Sequence, residues 1–326
     1  MEDINYHDYI EVMNRWGSER KPFIFILDFE LKHPIVLPLH EAAENGIFFT
    51  FDNCKNTDIH EIKMREFTFR KFPVSYQVFK KSFDKVIKEI KRGNSFLTNL
   101  TFPTSIETDL ALREIFHQSE APYKLLFKDQ FVVFSPEPFI KITGGKITSY
   151  PMKGTIDASV PDAETIILSD AKEIAEHHTI VDLIRNDLSM VATNVKVGKF
   201  RFINTVKTHE KTLLQVSSEV TGDLPNDYLL HLGDILSKLL PAGSICGAPK
   251  RKTLEIISQS EICERGYYTG VFGIFDGNDL HSAVMIRFIE KHEEKLTFKS
   301  GGGITFSSDP VKEYQELIDK VYVPIY

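Results

Sequence analysis

Apolar positions along the chain change their period several times, and each change marks an expected element. Residues 23–29 and 47–51 are short apolar or alternating runs, the pattern of strands; the polar stretch 52–57 reads as a connection. From Ser75 the period becomes helical. Val78, Phe79, Phe83, Val86, Ile87 and Ile90 share one face, and Gly93 is placed to stop the helix. Strands are expected at 95–102, 123–127, 130–134, 139–143 and 146–150, with turns at Asp129 and at Gly144–Gly145. A long helix over 171–188 carries Ile174, Ala175, Val181 and Ile184 as apolar positions, and further helices are expected near 226–240 and 252–258. Strands near 269–275, 281–290 and 295–299 precede a last helix, capped by Asp309 and opened by Pro310. This mixed order, with hairpins, predicts an α+β fold of stacked mixed/antiparallel sheets flanked by helices rather than a βαβ array. Residues 1–70 read as a short N-terminal region packing on a main domain of 71–326.

Composition narrows the function classes. A chain of 326 residues with 25 Phe and 11 Tyr has far too much apolar material for a solvated coil. Its 39 Lys+Arg against 46 Asp+Glu give a net charge of −7, which argues against a nucleic-acid partner or an anionic membrane surface. No apolar run approaches the ~18 residues of a membrane span, and the start, with Glu2 and Asp3, lacks the pattern of a secretory signal. Cys54, Cys246 and Cys263 form no C-x-x-C, so structural zinc and thioredoxin-type redox chemistry are not expected. A cytoplasmic protein of a reducing compartment is the expectation. The segment 243–250 faintly resembles a phosphate loop, but Pro249 stands where that pattern requires glycine.

Candidate chemistry lies in several places. Glu313, Glu316 and Lys320 fall at i, i+3 and i+7 of the last helix, and Glu173 and Glu176 repeat the spacing on the long one. Either pair alone reads as a solvated acidic face. Two such pairs near glycine-rich strands also suit Mg²⁺, which takes hard oxygen ligands and keeps several waters. Lys153, in Ser149-Tyr-Pro-Met-Lys153-Gly-Thr155, stands at a strand end on a tight turn. It reads either as a surface turn lysine or as a nucleophile. An ordinary lysine is only roughly 0.1% neutral near pH 7.4, so the second role needs a special setting. Glu137 sits between two prolines after the strand 130–134, and Gly301-Gly302-Gly303 reads as a turn or bulge whose amides can cradle a carboxylate. Arg287, inside the apolar run 283–289, needs an anionic partner.

Seven segments together resemble the chorismate-utilising family: anthranilate synthase component I, aminodeoxychorismate synthase component I, and the isochorismate and salicylate synthases. They are SPEPFI (135–140), PMKGT (151–155), AEHHTIVDLIRNDL (175–188), GSICGAPK (243–250), RGYYTG (265–270), MIRF (285–288) and SGGGITFSSDPVKEYQELIDKV (300–321). They stand in the family's order from about Phe72 onward. The resemblance implies an anthranilate-synthase-component-I-like chorismate-binding fold. Lys153 resembles the lysine of P-I-K-G-T in the aminodeoxychorismate synthase branch, where anthranilate synthases carry alanine.

That branch makes 4-amino-4-deoxychorismate for p-aminobenzoate and folate. By resemblance, Lys153 attacks ring carbon 2 while the C4 hydroxyl departs, and Glu137 is the general acid. Glu176 and Glu316 are the closest Mg²⁺ ligands, with Glu173 and Glu313 acting through water. Tyr268, Arg287, the amides of Gly301 and Gly303, and Lys320 complete the substrate site. The implied partner is a glutamine amidotransferase subunit supplying ammonia, because no cysteine here sits in a G-x-C-x-G-type turn. Two positions depart from the pattern. Leu97 stands where amine-adding relatives have glutamine and water-adding ones a lysine, and Leu214 replaces a histidine for which His209 is the nearby substitute. The alternatives are anthranilate synthase component I, which adds the amine at C2 and eliminates pyruvate, and a catalytically weak chorismate-binding homologue.

Overall fold

The computed structural model describes residues 6–51, 54–57, 66–207 and 212–325. Phe23–Leu27 is apolar at every position because both of its faces are covered. Phe23, Phe25 and Leu27 enter a core shared with Val181, Ile184, Leu232 and Leu236 from helices, whereas Ile24 and Ile26 enter a second core with Phe49, Phe51, Leu125 and Phe288. That second core is the seam between two stacked sheets.

Among the described residues each sheet has nine strands and every pairing is antiparallel. One sheet runs Met152–Asp157, Thr212–Asp223, Lys146–Ser149, Pro138–Thr143, Leu280–Val284, Val271–Phe275, Phe23–Leu27, Ile35–Pro38, with Thr193–Lys207 beside Thr212–Asp223. The other runs Gly247–Ala248, Leu97–Thr108, Lys295–Thr305, Phe288–His292, Phe131–Ser135, Tyr123–Phe127, Ile47–Phe51, Cys54–Lys55, with Phe69–Pro73 beside Leu97–Thr108. Strands of the first 70 residues are built into both sheets: Phe23–Leu27 pairs with Val271–Phe275, and Ile47–Phe51 with Tyr123–Phe127. The sheets therefore run across the boundary expected at residue 70.

Several elements differ from expectation, each for a local reason. The single strand over 281–290 is two strands in different sheets, because Met285–Arg287 carries the chain from one sheet to the other and Arg287 takes φ +55° there. The strand beginning at Lys295 continues through the glycines to Thr305. Cys54–Lys55, inside the expected connection, folds back on Thr50 and Phe51. The helix near 226–240 is a 3₁₀ turn, Tyr228–His231, followed by Leu232–Leu239. Tyr76–Lys91 is capped by the Ser75 hydroxyl and followed by Gly93 at φ +78°, but Val78 of its expected apolar face is exposed. No helix among the described residues is long and apolar enough to cross a membrane.

Candidate active site

Gly302 and Gly303 form the floor of a cleft. A methyl group placed on Gly303 would lie 2.9 Å from Leu97 Cδ1 and 3.8 Å from Lys153 Nζ. One placed on Gly302 would lie 3.5 Å from Glu313 Oε2 and 3.8 Å from both Glu316 Oε1 and Lys320 Nζ. Absent side chains thus keep open the space over which these groups converge. The glycines are not the turn or bulge expected. Gly301, Gly302 and Gly303 stay in register with Thr101, Leu100 and Asn99, and the Gly301 carbonyl accepts from Lys320 Nζ at 2.9 Å.

Lys153 sits within the strand Met152–Asp157 rather than at a strand end. The pairing jumps from Met152 opposite Ser217 to Thr155 opposite Gln215, so Lys153 and Gly154 bulge out of the ladder, with Gly154 at φ +85°. A bulge re-aims side chains, and here it brings the lysine amine to the glycine floor. A methyl group on Gly154 would meet Glu173 Oε2 at 3.1 Å, so the bulge packs directly under the long helix Ala171–Ser189.

The four carboxylates come from two helices, Glu173 and Glu176 from Ala171–Ser189 and Glu313 and Glu316 from Pro310–Asp319. As expected, Asp309 caps the latter by accepting from the amides of Val311 and Lys312. Glu176 Oε2 lies 3.5 Å from Lys153 Nζ, and Glu316 Oε1 lies 2.6 Å from Lys320 Nζ. Among the described residues no three carboxylate, histidine or cysteine groups are grouped closely enough to hold an ion. The donor chemistry nevertheless suits Mg²⁺, which takes hard oxygens; Glu313 and Glu316 face Gly302, Glu173 faces Gly154, and Glu176 faces Lys153.

Glu137 follows the strand Phe131–Ser135, and its carboxylate accepts from Ser244. Part of its surface still meets solvent, yet protein surrounds it so densely that burial raises its pKa. The Ser244 hydroxyl, which donates to Oε1 at 2.7 Å, opposes the rise, as do the charges of Lys153, Arg287 and Lys320. All of these groups therefore share one electrostatic neighbourhood. Burial pushes the Lys320 amine down, with Arg287 and Lys153 adding to the effect against Glu316. Burial likewise pushes the Tyr268 phenol well up, so it stays protonated and able to donate. Arg287 stacks on the Tyr322 ring at 5.4 Å, and no carboxylate among the described residues pairs with it. The anionic partner expected of this arginine is not found among the described residues.

Two residues in the quoted segments had not been singled out. Ser244 is one. His177 is the other: it is fully buried, with Nε2 2.6 Å from Ser218 Oγ, and burial first, then Arg201, lowers its pKa to about 4. It is therefore neutral at neutral pH. Its signal lay in the helical period, because it falls between Ile174 and Val181 on the buried stripe. Leu97 is buried and Leu214 pairs with Ile156 and Thr205; His209, the proposed substitute for the missing histidine, lies outside the described residues.

The profile of the chorismate binding enzymes matches residues 52–325. The chain belongs to this family. Among the relatives of this chorismate-binding enzyme, an uncharacterized "PabA-like" protein of Pasteurella multocida is 51% identical over 99% of this chain and all of that protein. A PabA-like protein of Haemophilus influenzae is 51% identical over 97% of this chain and 96% of that one. Anthranilate synthase component 1 of Haloarcula marismortui is 34% identical over 71% of this chain and 49% of that protein. The fold of the chorismate-binding enzyme is shared with an isochorismate synthase of Bacillus anthracis (TM-score 0.73, 21% identity, 98% of this chain and 88% of that one). It is shared also with anthranilate synthase component I of Streptococcus pneumoniae (TM-score 0.66, 26% identity, 78% of this chain and 59% of that one). These likenesses bear out the stacked sheets flanked by helices.

Proposed function

We propose that this chorismate-binding enzyme aminates chorismate at C4 with ammonia, giving 4-amino-4-deoxychorismate through a covalent bond to Lys153. The observation that supports this reading is the bulge that turns the Lys153 amine onto the glycine floor, in the neighbourhood of Glu137. The neutral amine attacks ring carbon 2, both ring double bonds move one position toward C4, and the C4 hydroxyl leaves as water with a proton from Glu137. Ammonia then adds at C4, both double bonds return, the lysine departs as the neutral amine, and the C4 ammonium returns a proton to Glu137. Arg287, Lys320 and the Tyr268 hydroxyl would hold the two carboxylates of the substrate, with the surfaces of Gly301 and Gly303 beneath the ring. A second reading is supported by the anthranilate synthase relatives: addition at C2 and loss of pyruvate.

Mg²⁺ would screen the ring carboxylate when bound, held by Glu176 and Glu316 directly and by Glu173 and Glu313 through water. Four carboxylates repel one another when no cation or substrate is present, so metal affinity should depend on chorismate. Glu176→Gln or Glu316→Gln is expected to raise the Mg²⁺ concentration at half-maximal rate about tenfold, roughly 1.4 kcal/mol. Unchanged Mg²⁺ dependence in both variants would return the four acids to the status of solvated faces.

The proposed partner is a separate glutaminase, acting in the cytoplasm, where most free ammonia is the non-nucleophilic ammonium ion. Burial pushes the thiols of Cys54, Cys246 and Cys263 all upward, Cys246 to about 12, so none is poised as the thiolate a glutaminase needs. The isolated chain should turn over chorismate with ammonium salts, faster as pH rises, and should not use glutamine until an amidotransferase subunit is added. Robust glutamine-dependent turnover by the chain alone would contradict this.

A further inference from the structure

Ser244 stands on the four-residue helix Gly243–Cys246, and its neighbours are fixed from both sides. A methyl group on Gly243 would meet Asp187 Oδ2 at 2.8 Å and Leu183 Cγ at 3.0 Å, so the helix start is pressed against Ala171–Ser189. Asp187 is itself held 3.2 Å from Lys250 Nζ, which also donates to the Leu239 carbonyl at 2.9 Å. On the other side, the carbonyl of Ile245 accepts from the fully buried Arg265 at 2.8 Å. Arg265 is locked in turn by Glu261 and by the Asn99 carbonyl. One buried ion pair, Arg265–Glu261, and one partly exposed pair, Lys250–Asp187, therefore fix a hydroxyl whose own hydrogen bond goes to Glu137 Oε1.

We propose that Ser244 is the positioning residue of the general acid: by donating to Oε1 of Glu137 it leaves Oε2 as the oxygen that carries the proton to the departing hydroxyl. A carboxylic acid has one acidic hydrogen and two candidate oxygens. A fixed donor on one oxygen makes that oxygen the carbonyl and directs the proton to the other. Once the proton has left, the same hydroxyl stabilises the carboxylate that remains. This role rests on the reading of Glu137 as the acid.

The charged groups facing Glu137 are Lys153, Arg287 and Lys320, with the Tyr268 phenol beside them; Ser244→Ala alters none of these. The variant should therefore isolate the hydroxyl. Carbon-13 NMR of protein labelled at glutamate carboxyls, with the Glu137 signal assigned by its loss in Glu137→Gln, reads the titration without substrate. In Ser244→Ala the Glu137 midpoint should move to higher pH by about half a unit or more. The kcat with ammonium and chorismate should fall about tenfold with KM within about threefold, and its alkaline limb should move up with the midpoint. Ser244→Thr, which keeps the hydroxyl and tests for disturbance of the packed helix, should restore all three. An unmoved midpoint, or a kcat within about twofold of wild type, would overturn the proposal. Should Glu137→Gln keep full turnover, the general-acid reading falls and the catalytic role of Ser244 falls with it. Should Glu137→Gln be inactive while the Ser244→Ala midpoint stays put, only the role of Ser244 fails.

Discussion

Lys153→Ala is expected to slow amination by about 10³-fold or more, equivalent to ~4 kcal/mol of barrier, while chorismate affinity stays within a few-fold. Removing the amine takes away the bond that divides a difficult displacement into two easier steps. The groups proposed to hold the carboxylates, Arg287 and Lys320, remain in place, so substrate should still bind in the presence of Mg²⁺. Lys153 donates to Glu176 at 3.5 Å, which makes it a structural contact as well. Its loss should therefore be compared with Lys153→Met, which keeps most of the side chain's bulk without the amine. Both variants should fail alike in the rate and keep binding, as measured by calorimetry with chorismate. Wild-type rates with ammonium in either variant would remove the covalent role.

Glu137→Gln should cost about 10²–10⁴-fold in kcat, the range of general acid catalysis. Hydroxide is a very poor leaving group, so its departure needs a proton donor. The pH dependence supplies the sign. Burial raises the pKa of Glu137, so the protonated, active form persists to higher pH than for an ordinary carboxyl. The wild-type rate, measured at a fixed concentration of neutral ammonia, should fall as pH rises through that raised value. The variant, having no proton to lose there, should lack that falling limb at its reduced rate. A variant with full activity, or one that keeps the wild-type falling limb, would assign the proton to another group.

Local pattern made much of this molecule legible. A strand apolar at every position, such as Phe23–Leu27, can only lie between two layers, and Asp309-Pro310 and Gly93 punctuate helices by backbone chemistry that acts within a few residues. The candidate site residues came through the resemblance carried by the quoted segments, and the structure sets Lys153 beside Glu176 and Gly303, and Lys320 beside Glu316, Gly301 and Gly302. What was not legible depends on contacts distant in sequence. The Lys153 bulge exists only in relation to Ser217 and Gln215 on a neighbouring strand, and the switch of sheets at Met285–Arg287 only in relation to both sheets. The ribbon of Thr193–Lys207 and Thr212–Asp223 was missed because much of its first strand is exposed, so its sequence lacks a clean alternation. Ser244 and Glu137 are 107 positions apart, and nothing local to either announces their hydrogen bond.

The most direct test is the identity of the product. Purified chain incubated with chorismate, Mg²⁺ and ¹⁵N-ammonium, quenched early and resolved by mass and NMR, reports where nitrogen is added and whether pyruvate leaves. The account predicts 4-amino-4-deoxychorismate, labelled at C4 with the enolpyruvyl group intact, and no pyruvate. Labelled anthranilate with an equal yield of pyruvate would contradict it.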